Sequence, residues 1–244
     1  MLRVENITKK FGRFKALEEI SANFDAGDSI ALLGPNGSGK TTLIKSILGL
    51  VVPSKGAVYY QGKKVQPDQL RNITGYMPQI GRYPENMSIK GLLEMMLSIR
   101  GTQMADCDVE LYEQFRIHDI EKKKLGALSG GTKQKVGAVL AFLFHPEILI
   151  LDEPTAGLDP YSSSLLKEKI NCFRHEEKLV IITSHIISEL DELVSKVMYL
   201  IEGQLHFYKP VESIKEQSSQ TALEKALASL MLTDNELRLS YANT

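Results

Sequence analysis

Eight residues, Gly34-Pro-Asn-Gly-Ser-Gly-Lys40-Thr41, constrain this chain more than any other stretch. The pattern GxxxxGK[ST] has meaning only where a buried strand ends and a helix begins. Ser29-Ile30-Ala31-Leu32-Leu33 supplies the strand, and Leu43, Ile44, Ile47 and Leu48 recur behind it at helical spacing. Glycines let backbone N–H groups turn inward around a phosphate, and the helix N-terminus adds partial positive charge at the same point. Gly34, Pro35, Asn36, Gly37, Ser38, Gly39, Lys40, Thr41 and the adjoining Thr42 are therefore candidate nucleotide-binding residues. Lys40 has the reach for β- and γ-phosphates, and the Thr41 hydroxyl is a hard oxygen ligand for Mg²⁺. A glycine turn with an incidental lysine does not explain the full match in this context. The stretch reads as a nucleoside-triphosphate site.

The rest of the chain supplies an α/β frame. Ile148-Leu149-Ile150-Leu151 and Leu179-Val180-Ile181-Ile182 are continuously apolar, with a helix expected over Ser162 to Phe173 between them. That pattern indicates strands covered on both faces of a mostly parallel sheet. Leu2-Arg3-Val4 and Ile20 to Phe24 read as half-exposed antiparallel strands, and Val197–Ile201 with Leu205–Tyr208 as a hairpin around Glu202-Gly203-Gln204. Residues 88–144 are mostly helical in pattern. Leu92, Leu93, Met96 and Leu97 form an apolar face there, and the methionine-rich patch is expected to pack in the core. Two short helices are expected after Pro210, the second over Thr221 to Met231, and residues 232–244 read as a frayed polar end.

A phosphate loop needs a carboxylate that holds Mg²⁺, at the end of a neighbouring buried strand. Asp152 follows Ile148–Leu151 in that position. Glu153 comes next and suits a general base that positions the attacking water, although an acidic pair can also simply cap a turn. His185 follows the strand Leu179–Thr183. Parallel strands present their C-terminal ends on one edge, so His185 is expected beside the phosphate loop and Asp152. There an imidazole can hydrogen-bond a γ-phosphate. His118, His145, His175 and His206 have no such placement and read as surface or structural residues.

Composition removes several other classes. The 29 Lys+Arg and 30 Asp+Glu leave a net charge of −1, which disfavours a polybasic nucleic-acid binder; Lys122-Lys123-Lys124 reads as a solvated face, and no nucleic acid is expected. Cys107 and Cys172 are too few for a disulfide framework and fit reduced thiols. The opening MLRVENITKKFG has no apolar leader core, and the longest apolar run, Val136 to Phe144, falls far short of the ~20 residues of a membrane span.

Leu128-Ser129-Gly130-Gly131 makes the pattern far more specific. With Phe11, the phosphate loop, Gln79 in Tyr76-Met77-Pro78-Gln79, Asp152-Glu153, Leu158-Asp159 and His185 in this order, the chain resembles the nucleotide-binding subunit of ATP-binding cassette (ABC) transporters. The resemblance covers about residues 1–210 as one ATPase domain and extends to a short helical tail over 211–244. It implies a P-loop NTPase (RecA-like) core, an N-terminal antiparallel β-subdomain and an inserted helical subdomain at about 88–144. It also implies that Phe11 stacks on adenine with Ala16 near the base, and that Gln79 touches Mg²⁺ and the attacking water. Two copies would pair head to tail around ATP, with Ser129, Gly130 and Gly131 of one reaching the γ-phosphate held by the other and Asp159 crossing the interface.

Thr132 departs from the Gln or Glu usual after the second glycine, which puts a contact to the partner's nucleotide sugar in doubt. Ala156-Gly157-Leu158 replaces a common Ser-Ala-Leu, with little expected consequence. The resemblance implies a separate transmembrane permease docked at Ile80 to Met87, and hence a cytoplasmic protein peripheral to the inner face of the cell membrane. The ending and the Tyr76–Met96 region are similar to single-cassette subunits of type-2 exporters and of nitrous-oxide-reductase maturation. The rival readings are a soluble ABC ATPase of a cofactor- or cluster-assembly system and a small-molecule kinase. The kinase would have no use for Leu128–Gly131.

Overall fold

A computed structural model describes residues 1–231. Residues 232–244, read above as a frayed end, lie outside the described residues. β1 (Leu2–Phe11) and β2 (Phe14–Phe24) form a long antiparallel hairpin, with Leu2 opposite Phe24 and Phe11 opposite Phe14. β4 (Lys55–Tyr60) pairs with the other edge of β1, and β5 (Lys63–Lys64) completes a four-stranded sheet ordered β2-β1-β4-β5. The second sheet contains β3 (Ser29–Leu33), β6 (Thr74–Met77), β7 (Ile148–Asp152), β8 (Leu179–Thr183), β9 (Lys196–Ile201) and β10 (Gln204–Pro210). Its order is β10-β9-β3-β8-β7-β6, parallel throughout except for the β9–β10 hairpin.

Every residue of β3, β7 and β8 is buried, as continuous apolar runs require. Alternation along these strands feeds two separate cores. Ile30, Leu32, Ile148, Ile150, Leu179 and Ile181 face the first sheet and α1 (Lys40–Ile47). Ala31, Leu33, Leu149, Leu151, Val180 and Ile182 face the other side. There they pack with α5 (Gly130–Phe142) and α6 (Pro160–His175). The expected helix over 162–173 is α6, extended by Pro160 at its first turn and an Asp159 cap.

Between β6 and β7 the chain runs through α3 (Ile89–Arg100), α4 (Glu110–Gln114) and α5, joined by turns and short 3₁₀ segments. α2 (Pro67–Ile73) precedes β6, and α7 (Val211–Ser218) follows β10. The last described residues, 223–231, are helical and close over Leu223, Ala226 and Leu227, which are buried. One expectation needs correction. Leu92 and Leu93 are buried and Met96 packs against the core, but Met95 is 38% and Ile99 70% exposed. Four residues apart, Met95 and Ile99 share a face of α3 other than the one that packs inward.

Candidate functional site

Four strands deliver their C-terminal ends to one sheet edge. β3 runs into the phosphate loop, β7 ends in Asp152, β8 leads to His185, and β6 leads to Gln79. A cleft of about 250 Å³ lies on this edge, lined by Asn36 to Thr42, Ala16, Phe14, Gln79, Asp152, Glu153 and His185. Gly34 adopts a positive φ of 144°, and a Cβ there would meet the Leu200 carbonyl oxygen at 2.1 Å and Ser38 Oγ at 2.7 Å. Only glycine lets the loop leave β3 this closely. Ser38 Oγ is itself buried and has no hydrogen-bond partner among the described residues. A buried hydroxyl without a partner is costly unless a ligand completes it.

Lys40 opens α1 behind a Gly39 cap that contributes no side chain. Its ammonium donates to the carbonyls of Gly34 at 2.7 Å and Pro35 at 3.1 Å. Burial pushes this ammonium below the ordinary lysine value, while the charges of Glu153 and Asp152 work in the opposite direction. A cation held at the mouth of a helix by neutral acceptors alone is suited to an anion.

Asp152 and Glu153 are 6% and 8% exposed. The Thr183 hydroxyl donates to Asp152 Oδ1 at 2.5 Å. The Glu153 N–H donates to both the Thr183 carbonyl and Thr183 Oγ1, each at 3.1 Å. These bonds hold Glu153 at a φ of 56°, a left-handed conformation that costs a non-glycine residue about 1–3 kcal/mol. Its carboxylate in turn accepts from the His185 backbone N–H at 3.1 Å, and the His185 Nε2 stands 3.4 Å from its other oxygen. Gln79 is exposed in the cleft, and its carbonyl accepts from Gln134 Nε2 of α5 at 3.3 Å.

The remaining predicted site residues lie elsewhere. Phe14, not Phe11, lines the cleft; Phe11 is its cross-strand partner and carries the Lys9 ammonium 4.9 Å above its ring. Ser129 caps α5, and Ser129 and Gly130 are exposed. Asp159 caps α6 and accepts from the Ser162 N–H at 2.9 Å and the Ser162 hydroxyl at 2.7 Å. Lys135 of α5 reaches Asp159 at 2.9 Å, so the two caps belong to one surface. The Ser162 N–H, Lys135 and the Ser162 hydroxyl hold the Asp159 carboxyl well below the usual carboxylate range. None of Ser129, Gly130, Gly131 and Asp159 lines the cleft.

Sequence reading missed Phe14, Thr183 and Gln134. Thr183 was accessible to it, as the one hydroxyl ending an apolar strand run just before Ser184-His185. A larger groove, about 440 Å³, opens beside the Gln79 loop between β6, α3 and α5. Its lining includes Arg71, Arg82, Arg100, Met95, Met96 and Phe144, and no carboxylate.

A family model described as ABC transporter matches residues 17–156. The ABC transporter ATP-binding protein YhaQ of Bacillus subtilis (strain 168) is 33% identical over 242 residues, covering 98% of this chain and 78% of its own. A lantibiotic transport ATP-binding protein, SrtF of Streptococcus pyogenes, is 31% identical over 205 residues, 84% of this chain and 89% of that one. A bacitracin transport ATP-binding protein, BcrA of Bacillus licheniformis, is 33% identical over 222 residues, 89% and 72% of the two chains. Among solved structures, an ATP-binding subunit of an ABC transporter superposes with a TM-score of 0.86 at 27% identity over 95% of this chain and 99% of its own. A dimeric ATP-binding cassette bound to ADP and Pi shares the fold at TM-score 0.73 and 23% identity, over 86% and 98% of the two chains.

Proposed function

The chain belongs to the ABC transporter family as an ATP-binding and ATP-hydrolysing subunit, and from that premise we propose how its own residues do the work. Two copies clasp ATP between them and drive a separate membrane permease. One observation carries this reading. The phosphate loop, Asp152, Glu153, Gln79 and His185 share one cleft, while Ser129, Gly130 and Asp159 stand exposed outside it.

In each copy the loop N–H groups and Lys40 bind the triphosphate, and the unpartnered Ser38 hydroxyl supplies a further donor. The hairpin end carrying Phe14 and Phe11 receives the adenine, with Ala16 beside it. The residues present fit Mg²⁺: Thr41 and Asp152, with Gln79, offer hard oxygens. Mg²⁺ beside a nucleotide is ordinarily held by one or two carboxylates together with substrate phosphates, and Asp152 is the carboxylate placed for it at the end of β7. When bound, Mg²⁺ neutralises charge developing on the β- and γ-oxygens. Glu153 accepts a proton from the water that attacks the γ-phosphorus. A bond forms between that water oxygen and phosphorus, the bond to the β-phosphate oxygen breaks, and ADP and phosphate leave. His185 fixes the Glu153 carboxylate through its backbone N–H and imidazole.

ATP contacts two copies at once and so favours the closed pair; a shift from 1:99 to 99:1 requires about 5.5 kcal/mol of such preference. Loss of the γ-phosphate removes the bridge. The Gln134–Gln79 bond ties α5 to the cleft and supports a route for motion toward the Ile80–Met87 segment and the arginine-rimmed groove. A cytoplasmic permease segment with apolar anchors and an acidic side chain fits that groove. Arg71 and Arg82 are exposed there without an ion-pair partner among the described residues. No described helix is long and apolar enough to cross a membrane, so this docking would place the chain peripherally on the membrane. The alternative of a soluble assembly ATPase has no observation in its favour.

Glu153→Gln should preserve ATP binding and lower turnover about 10²- to 10⁴-fold. Turnover near the parent rate would remove Glu153 from its role. Phe14→Ala and Phe11→Ala, compared by ATP affinity, assign the stacking ring; a loss of about 1–3 kcal/mol is expected at the true one. Co-purification with a polytopic membrane protein encoded beside the chain, lost on Arg82→Glu, tests the docking groove.

A further inference from the structure

The first turn of α5 carries two hydroxyls bonded to each other. Ser129 Oγ and Thr132 Oγ1 are 2.8 Å apart, and the Thr132 backbone N–H donates to Ser129 Oγ at 3.3 Å. The Ser129 oxygen has two lone pairs and one proton. The helix cap fills one lone pair. If the Thr132 hydroxyl fills the second, Ser129 can only donate. If Ser129 donates instead, the Thr132 proton is left over. In either case two hydroxyls hold two protons, one is spent between them, and the other is available to an acceptor. No acceptor among the described residues takes it.

That remaining proton sits at the positive end of a 13-residue helix, beside an exposed Ser129 and Gly130. We infer that Thr132 is a positioning residue: its hydroxyl orients Ser129 so that the pair donates to the γ-phosphate held by a second copy of this chain. The inference rests on the two-copy reading above. The cap itself needs only the backbone N–H of residue 132. Thr132→Val therefore keeps the cap and the β-branched shape while deleting the second bond.

The test uses the full chain in a Glu153→Gln background with Mg-ATP, reading the dimer dissociation constant by sedimentation. Losing one orienting hydrogen bond weakens each site about three- to tenfold. Each dimer holds two sites, so Thr132→Val should raise the dissociation constant about ten- to a hundredfold. Nucleotide affinity of the dilute single chain and the melting temperature should stay at parent values, and Thr132→Ser should restore dimerisation. In the hydrolysing parent, Thr132→Val should lower kcat with little change in KM. Ser129→Ala separates the two claims. If it weakens the dimer while Thr132→Val does not, Thr132 is idle and the inference is overturned, but the two-copy reading stands. If Ser129→Ala leaves the ATP-dependent dimer unchanged, Ser129 makes no contact for Thr132 to orient and the inference is overturned; only a parent that stays a single chain with ATP bound overturns the two-copy reading as well. If Thr132→Ser behaves like Thr132→Val, the hydroxyl is not the cause and the inference is overturned.

Discussion

Lys169, in the middle of α6, sits against two carboxylates; Lys40, at the start of α1, sits against two carbonyls. Both side chains are partly buried. Lys169 is 2.6 Å from Asp108 and 2.7 Å from Glu110, with the Phe142 ring 5.8 Å away, and so ties α6 to the segment around α4. Burial works to lower its pKa, but the hydrogen bonds and charges of Asp108 and Glu110 outweigh it and hold the ammonium above the ordinary value. Lys40 has no carboxylate within salt-bridge distance among the described residues, and burial wins. A satisfied charge is a fastener. An unsatisfied one at a helix N-terminus waits for a ligand, and the difference separates structure from function without reference to any relative.

Exchanging the two lysines for alanine breaks this comparison if it is wrong. Lys40→Ala should reduce ATP affinity about 10²- to 10³-fold with the melting temperature nearly unchanged, as read by nucleotide titration and thermal unfolding. Lys169→Ala should do the reverse. It leaves two carboxylates facing each other at a cost of about 2–3 kcal/mol, a fall of about 4–10 °C in Tm, with ATP affinity retained. Similar effects from both would erase the distinction.

Alkaline pH sharpens the same contrast at smaller amplitude. The Lys40 pKa lies below the ordinary value before ATP binds, and bound phosphates raise it. Its contribution to affinity is therefore complete below the free-protein value and is lost as pH rises past it. A decline of a few-fold in ATP affinity is expected at alkaline pH, before pH reaches the ordinary lysine value of about 10.4. The Lys169 pKa is raised on folding, so its contribution to stability is complete below the unfolded value of about 10.4 and is lost only as pH climbs through the higher folded value. Tm should therefore hold over the range in which affinity declines.

Local signals were legible wherever one strand or one loop carried the meaning. The apolar runs at Ile148–Leu151 and Leu179–Ile182 read directly as β7 and β8, and the phosphate loop, Asp152, Glu153 and His185 fell on one edge because parallel strands share polarity. Tertiary contacts were not legible. β6 contains Gly75, which reads against a strand; a Cβ there would meet the Ala141 carbonyl oxygen at 1.8 Å, so the glycine answers to α5 rather than to β6. β1 and β2 continue to Phe11 and Phe14 with register shifts that break the alternation of buried and exposed residues, and this hid both the length of the hairpin and the place of Phe14 in the cleft. Met95 was expected in the core with the rest of the methionine-rich patch, because composition cannot say which side of α3 meets solvent.

The central claim is that ATP joins two copies of this chain, and sedimentation velocity of the Glu153→Gln protein reads it directly. With saturating Mg-ATP the protein should sediment as a dimer, and with ADP, or after Lys40→Ala is added, as a single chain. A species that remains a single chain at saturating ATP, with nucleotide demonstrably bound, would contradict the account.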